Sequence, residues 1–207
     1  ATVARSLGET LEAVEDLADD HVCYAEIRFA PILHTAGGLT MEECVQAVLD
    51  GLDQGTRQTG VPIGLILCAM RNQSPAISLE VAKLAVAFAD RGVVGFDLAG
   101  DEAGNPPKKH LDAFQFIRSK NFNITLHAGE AFGIESIWQA VQICGSHRIG
   151  HGVRLVEDMM IGGSKILEMG SLANYILDRR IPMEMCLSSN VGTGAAASLG
   201  EHPFPIL

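Results

Sequence analysis

The chain has no Cys-x-x-Cys pair, no Gly-x-Gly-x-x-Gly turn, no Gly-x-x-x-x-Gly-Lys-Ser/Thr loop and no Gly-x-Ser-x-Gly elbow. Those absences leave a nucleotide-cofactor Rossmann unit, a phosphate-cradling P-loop and an α/β-hydrolase serine without support. Positive charge is also scarce: 15 Lys and Arg stand against 25 Asp and Glu, for a formal charge of −10 and a pI near 5.1. Such a chain repels nucleic acid and anionic membrane, so a small, weakly charged ligand fits better than either as its main partner. Apolar runs such as residues 61–70 fall well short of the roughly 20 residues that cross a bilayer. The opening residues do not read as a charged-then-apolar leader. Cys23, Cys44, Cys68, Cys144 and Cys186 lie far apart and mostly in apolar segments, the usage of free thiols in a reducing compartment. A soluble, cytoplasmic protein is expected.

Apolar material is plentiful. With 47% hydrophobic residues and a mean hydropathy of +0.21, the 207 residues can bury a sizeable core, and a single domain over residues 1–207 is expected. Residues 4–20 read as a helix with a stripe of Leu7, Leu11, Val14 and Leu17 at three-to-four spacing. A strand follows over 22–29, closed by Pro31. Thr40 to Glu43 has the spacing of a capping box, opening a helix that runs towards Gly60. Further strands are predicted over 63–70, 93–98, 123–127, 148–151 and 181–187. Helices are predicted between them over 76–90, 108–120, 134–143 and 171–179. Residues 157–169 show little periodicity and a Gly-Gly pair and read as a surface loop, as does the tail over 193–207.

Strands and helices alternate, the connections are long enough for right-handed crossovers, and the strands are apolar rather than alternating, all signs of a parallel α/β sheet. Polar residues gather at the C-terminal ends of several different strands. A (β/α)8 barrel of TIM type distributes its site in that way, whereas a doubly wound sheet concentrates it at one switch point. Six strands are predicted, so about six of the eight β/α units are expected within these residues.

Four strand-end segments carry the polar groups: GFDLAGDE (95–102), NITLHAGE (123–130), RIGHGVR (148–154) and MEMCLSSN (183–190). An imidazole at a strand end, as at His127, suits a borderline-soft metal, and the carboxylate of Glu130 one tight turn on can carry a proton beside it. Taken singly, each has a plainer reading: a core histidine bonded to a carbonyl, a solvated surface glutamate. In content and order, however, the four segments resemble the adenosine deaminase family. The likeness extends to YAEIRFAP (24–31) and GEHPFP (200–205), and so covers nearly the whole chain.

The resemblance implies a zinc-dependent hydrolytic deamination of adenosine and 2′-deoxyadenosine to the inosine nucleosides and ammonia. His127 would be one of four ligands to a single Zn2+. The family takes two more from a His-x-His on its first strand and an aspartate from its last, and both strands are expected to lie outside residues 1–207. Glu130 would protonate the purine ring at N1 while water activated by the metal attacks C6. His151, between Gly150 and Gly152, would orient that water and stabilise charge near it. Gly100 would bring its backbone N–H to a ring nitrogen, a turn glycine without a ligand being the alternative. Met70 at a strand end would line the purine pocket, or belong to the core. Asp101 and Glu102 read as organising the loop, and Ser188, Ser189 and Asn190 as hydrogen-bonding groups within one. His21, His34, His110, His147 and His202 match no catalytic segment and are expected to be structural or on the surface. Gly192 stands where many relatives have Gln.

The other large class of zinc base deaminases, which holds its metal with Pro-Cys-x-x-Cys, is excluded by ligand type. Two alternatives remain open: a deaminase of adenine, AMP or a modified nucleoside on the same barrel, and a non-catalytic barrel that binds nucleosides or partners. Residues 1–207 alone are expected neither to hold zinc tightly nor to turn over.

Overall fold

The computed structural model describes residues 3–163 and 165–207. Ala1, Thr2 and Ser164 lie outside the described residues, as does the side chain of Leu7 in the predicted stripe.

The chain opens with α1 (Val3–Asp19), followed by β1 (Ala25–Phe29), α2 (Met41–Thr59), β2 (Ile63–Met70), α3 (Pro75–Ala87) and β3 (Val93–Ala99). It continues through α4 (Leu111–Ser119), β4 (Thr125–Ala128), α5 (Ile134–Trp138) and β5 (Arg148–His151). A hairpin of β6 (Met159–Gly162) and β7 (Lys165–Met169) precedes α6 (Ser171–Arg179), β8 (Met183–Glu184) and α7 (Leu187–Gly192). Among the described residues six strands run parallel in the order β1-β2-β3-β4-β5-β8, with β3 and β4 joined by the single bridge Phe96–Ile124.

Local signals set several boundaries. Thr40 and Glu43 form the reciprocal capping box at the start of α2, Glu43 N–H donating to Thr40 Oγ1 at 3.1 Å and Thr40 N–H to Glu43 Oε2 at 2.8 Å. The helix ends at Gly60, in the left-handed region, whose N–H reaches the Thr56 carbonyl. Val14, fully buried, anchors α1 on α2 where Gly55 leaves room: a Cβ there would lie 2.7 Å from Val14 Cβ. β2 is buried through its middle, Leu65, Ile66, Leu67 and Ala69 all losing their full exposure, as a strand covered on both faces must.

The strands are not uniformly apolar. In β1, Ala25, Ile27 and Phe29 alternate with Glu26 and Arg28, and these two charges enter a network on one face of the sheet. Arg28 pairs with Glu184 of β8, and Arg148 of β5 lies 2.5 Å from Glu26 and 3.0 Å from Glu184. In a flat sheet β1 and β8, five strand spacings apart, would be separated by about 24 Å. A direct ion pair between them requires the sheet to close on itself, so the arrangement is a partial (β/α) barrel with a charged interior.

Other expectations need correction. Residues 159–169 form an antiparallel hairpin rather than an open loop, turning at Gly163 with φ of +63° and leaving Met160 and Leu167 exposed. The helix predicted over 134–143 is α only as far as Trp138 and continues as a π turn over Gln139–Ile143. The strand predicted over 181–187 shrinks to Met183–Glu184, pairing on one side only, and the chain enters α7 at Leu187.

His110 is buried on this scaffold, its Nε2–H donating to the Arg71 carbonyl at 3.2 Å and its Nδ1 accepting from Ser78 Oγ at 2.8 Å. Burial pushes its pKa below the ordinary histidine value, so unfolding takes up a proton that the folded state refuses. The stabilising effect is therefore complete above about pH 6.5 and is lost as pH falls through the lower folded pKa. Thermal unfolding of the intact protein should show Tm dropping more steeply with acidification below about pH 6.5 in the wild type than in His110→Gln. Equal slopes would contradict this.

Candidate active site

β4 delivers His127 to the C-terminal rim, and β3, its neighbour, supplies the group that turns its ring. Both oxygens of Asp97 lie within hydrogen-bond reach of His127 Nδ1, at 2.9 and 3.0 Å, and Asp97 is fully buried. A carboxylate only accepts, so Nδ1 carries the proton and Nε2 keeps its lone pair. Asp97 also accepts from Arg28 at 3.1 Å and from the Cys68 thiol at 3.3 Å. Burial pushes the Asp97 pKa up, but His127 and Arg28 outweigh it and hold the carboxyl below its usual range. Burial likewise opposes the charge on Arg28, and Asp97 and Glu184 more than restore it.

The turn after His127 is clamped by one side chain. Glu102, in the loop after β3, accepts the backbone N–H of Gly129 (2.6 Å), Glu130 (3.0 Å), Ala131 (2.8 Å) and Phe132 (3.0 Å). Its expected part as a loop organiser is what the geometry shows. The buried Arg71 guanidinium ties the same region from below, donating to the carbonyls of His127 and Asn105.

Glu130 emerges from this turn with Oε1 held by Asn190 Nδ2 (2.9 Å) and Thr193 Oγ1 (2.9 Å), and 3.4 Å from His151 Nδ1. Among the described residues its Oε2 has no hydrogen-bond partner. His151, the last residue of β5, is buried and adopts φ of +69°, in the left-handed region. Burial pushes its pKa down, against the pull of the Glu130 carboxylate. Its ring centroid lies 5.1 Å from that of His127. Close approach of β4 and β5 depends on Gly150, where a Cβ would come within 3.1 Å of His127 Cα.

His127, Glu130, His151, Gly100, Asp101 and Thr193 line one cavity of about 420 Å³. Gly100 has φ of +96°, and a Cβ there would sit 3.0 Å from the Met70 methyl carbon, so the loop follows this course because the residue is glycine. Met70 reaches Gly100 from the neighbouring strand; the cavity wall at that point is Ala99 and Gly100 rather than Met70 itself. Four of the five residues singled out from the sequence thus meet in one place.

Three functional neighbours escaped the sequence reading. Asp97 was legible only as an acid inside an apolar strand. Asn190 read only as a hydrogen-bonding group within a strand-end loop, with nothing to tie it to Glu130 and His151, and Thr193 had no signal beyond the loop-like tail. His202 is structural as expected, but its ring bonds to Asn190 at 3.1 Å and so stands directly behind the site.

To a metal ion the described residues offer one well-prepared donor, the Nε2 lone pair of His127 fixed by a carboxylate on the opposite ring nitrogen, a common arrangement for ligating histidines. Among the described residues no group of three or more His, Cys, Asp or Glu side chains could hold a metal by itself.

Glu102→Gln keeps the size of the clamp but removes one acceptor oxygen and the charge from four N–H groups. It should destabilise the intact protein by about 2 kcal/mol in denaturant unfolding. A change below about 0.5 kcal/mol, the range of an ordinary surface substitution, would show that the clamp is dispensable.

Comparison with known proteins points to one family. A family model described as Adenosine deaminase matches residues 8–207. Adenosine deaminase of Mycobacterium marinum is 53% identical over 199 residues, covering 95% of this chain and 55% of that protein. Adenosine deaminase 1 of Streptomyces coelicolor is 51% identical over 201 residues, covering 95% of this chain and 50% of that one. The chain therefore spans about half the length of the curated relatives it matches. Among solved structures, adenine deaminase from Arthrobacter aurescens aligns with a TM-score of 0.87 and 29% identity over 99% of this chain and 59% of its own. Arabidopsis ADAL complexed with IMP aligns with a TM-score of 0.81 and 28% identity over 98% of this chain and 58% of its own. With a family match running almost from end to end, on a partial barrel whose strand ends carry His127, Glu130 and His151 into one cavity, the chain belongs to the adenosine deaminase family.

Proposed function

We propose that the intact protein is a hydrolytic purine deaminase that converts adenosine and 2′-deoxyadenosine, with water, to inosine and 2′-deoxyinosine plus ammonia. The convergence of His127, Glu130, His151 and Gly100 on one cavity carries this reading, supported by the relatives named as adenosine deaminases. The family is metal-dependent, and a single Zn2+ is the proposed ion. His127 would be its ligand from this chain, with the others supplied by strands beyond residues 1–207 of one barrel domain. When bound, the ion supplies Lewis-acid activation, lowering the pKa of a water towards neutrality.

The chain's own residues do the rest. Water adds at C6 of the purine, the C6–N bond to the amino group breaks, and of the two protons the water gives up one leaves with the amine as ammonia while the other makes good the proton delivered to N1. As C6 becomes tetrahedral the ring needs a proton at N1, and Glu130, whose Oε2 is free beside the cavity, delivers it. His151 holds the attacking water by a hydrogen bond and steadies the charge that develops on its oxygen. The Gly100 N–H bonds a ring nitrogen and so orients the base, with Met70 backing Gly100 from β2.

A purine nucleoside is therefore the proposed partner, and the acidic composition speaks against nucleic acid or membrane in that place. The five cysteines are all free thiols, which supports a reducing, cytoplasmic setting. Among the described residues no helix is long and apolar enough to cross a membrane.

A second reading is favoured by the solved structures, since one is of an adenine deaminase and another is complexed with IMP. Adenine or a nucleotide would then be the better substrate of the same chemistry. Comparing kcat/KM for adenosine, adenine and AMP on the intact protein separates the two readings, and the nucleoside is expected to lead. Following the loss of adenosine absorbance, Glu130→Gln should lower kcat by about 100-fold or more, the range of a lost general acid. Undiminished turnover in that variant would remove Glu130 from the proton path.

A further inference from the structure

Asn190 is fully buried, and its carboxamide faces both acid–base groups of the cavity. Nδ2 lies 2.9 Å from Glu130 Oε1 and 2.9 Å from His151 Nδ1. An amide nitrogen has two N–H bonds and accepts nothing, so both contacts are donations. Such a side chain could equally be turned the other way, with its oxygen towards the cavity, and the residue behind it decides the matter.

His202, itself buried, sits at the far end of the amide. The Phe204 backbone N–H donates to His202 Nδ1 at 3.0 Å, so that nitrogen is unprotonated. The neutral ring must then carry its proton on Nε2, which lies 3.1 Å from Asn190 Oδ1. Nε2–H donates to Oδ1, and the opposite orientation of the amide would set two donors against each other. The backbone of the Pro-flanked segment at 203–205 thus fixes a ring, the ring fixes an amide, and the amide fixes two groups of the site.

Two consequences follow for the cavity. His151 Nδ1 is an acceptor, so the neutral imidazole holds its proton on Nε2. Glu130 Oε1 is taken up by Asn190 and Thr193, which leaves Oε2 as the oxygen that can exchange a proton. We propose that Asn190, locked in orientation by His202, is a positioning residue that sets the proton pattern of the site: His151 as the Nε2–H tautomer and Glu130 with Oε2 as its working oxygen. The catalytic meaning of this pattern rests on the deaminase reading above; the pattern itself does not.

The test uses the intact, metal-loaded protein in two measurements. The first is 15N NMR of labelled histidines at about pH 8, where ordinary imidazoles are neutral, with His151 assigned from the signal lost in His151→Gln. Wild type should show His151 and His202 as Nε2–H tautomers. In Asn190→Asp, where the carboxylate can only accept, His151 should switch to Nδ1–H. The second measurement is kinetic. Asn190→Asp, which matches the native shape, should be worse than Asn190→Ala, with kcat down by about 100-fold and KM within about threefold, as for an interaction made in the transition state. A residue that only fills space would give the reverse order, since Asp packs as Asn does.

Wild-type His151 in the Nδ1–H form overturns the proposal, as does Asn190→Asp with kcat within about twofold of wild type. The wild-type spectrum decides even if a variant fails to fold. Should the intact protein turn over no purine while both histidines show the expected tautomers and His151 switches in Asn190→Asp, the proton pattern stands and the deaminase reading falls.

Discussion

A carboxylate with no exposure to water needs opposite charge and hydrogen bonds around it, and Asp97 in the middle of the partial barrel is such a group. An isolated buried ion costs several kcal/mol, so the fold must bring partners to it or leave it protonated. The partners come from three other strands: Arg28 from β1, the Cys68 thiol from β2 and His127 from β4. The same charge that must be satisfied therefore turns the His127 ring and frees its Nε2. From Arg28 the network runs on through Glu184 and Arg148 to Glu26, where Tyr24 adds a hydrogen bond at 2.8 Å. Burial raises the pKa of Glu26, but Arg148 and Tyr24 overcome it, so this carboxylate too is held ionised. Curvature of the sheet and preparation of the site are two effects of one set of interior charges.

The loops above this network are held as firmly as the strands. Glu102 gathers four N–H groups of the turn after β4, so Glu130 leaves a backbone that has little freedom. His151 is a non-glycine residue in the left-handed region, a conformation that costs about 1–2 kcal/mol. It persists because the pairing of β5 with β4 fixes the backbone on one side, where Gly152 N–H reaches the Ala128 carbonyl at 3.0 Å, while Asn190 holds the ring on the other. Strain at that point brings the imidazole beside Glu130, which an ordinary extended residue at the end of the strand would not do.

What could be read in the sequence was what is local. His127 and His151 lie at the ends of short apolar strands and Glu130 and Gly100 in the turns just beyond, so hydrophobic period and turn chemistry mark the strand ends, while the resemblance to the adenosine deaminase family singles out these four residues. The alternation of strands and helices made a parallel sheet legible, and polar residues at several strand ends, with the family resemblance, made it a barrel. Asp97 and Asn190 act through partners 30, 39 and 60 residues away, and no local pattern records such pairings. The charges of β1 were hidden because a barrel interior satisfies Glu26 and Arg28 across the ring, from β5 and β8, rather than along the strand. The β6–β7 hairpin has four- and five-residue strands that bury little, so its sequence carries no strong alternation. In β8 two residues suffice to complete the ladder, and seven had been expected from apolar content alone.

The central claim is that two buried carboxylates, Asp97 and Glu102, place the His127 imidazole and the Glu130 carboxylate around one cavity. A crystal structure of the intact protein bound to a purine ribonucleoside that lacks the 6-amino group tests it most directly. The account predicts N1 within about 3.2 Å of Glu130 Oε2, the Gly100 N–H on another ring nitrogen, and the His127 and His151 rings on the side of C6. A purine bound elsewhere, or one seated here with Glu130 turned away from N1, would contradict it.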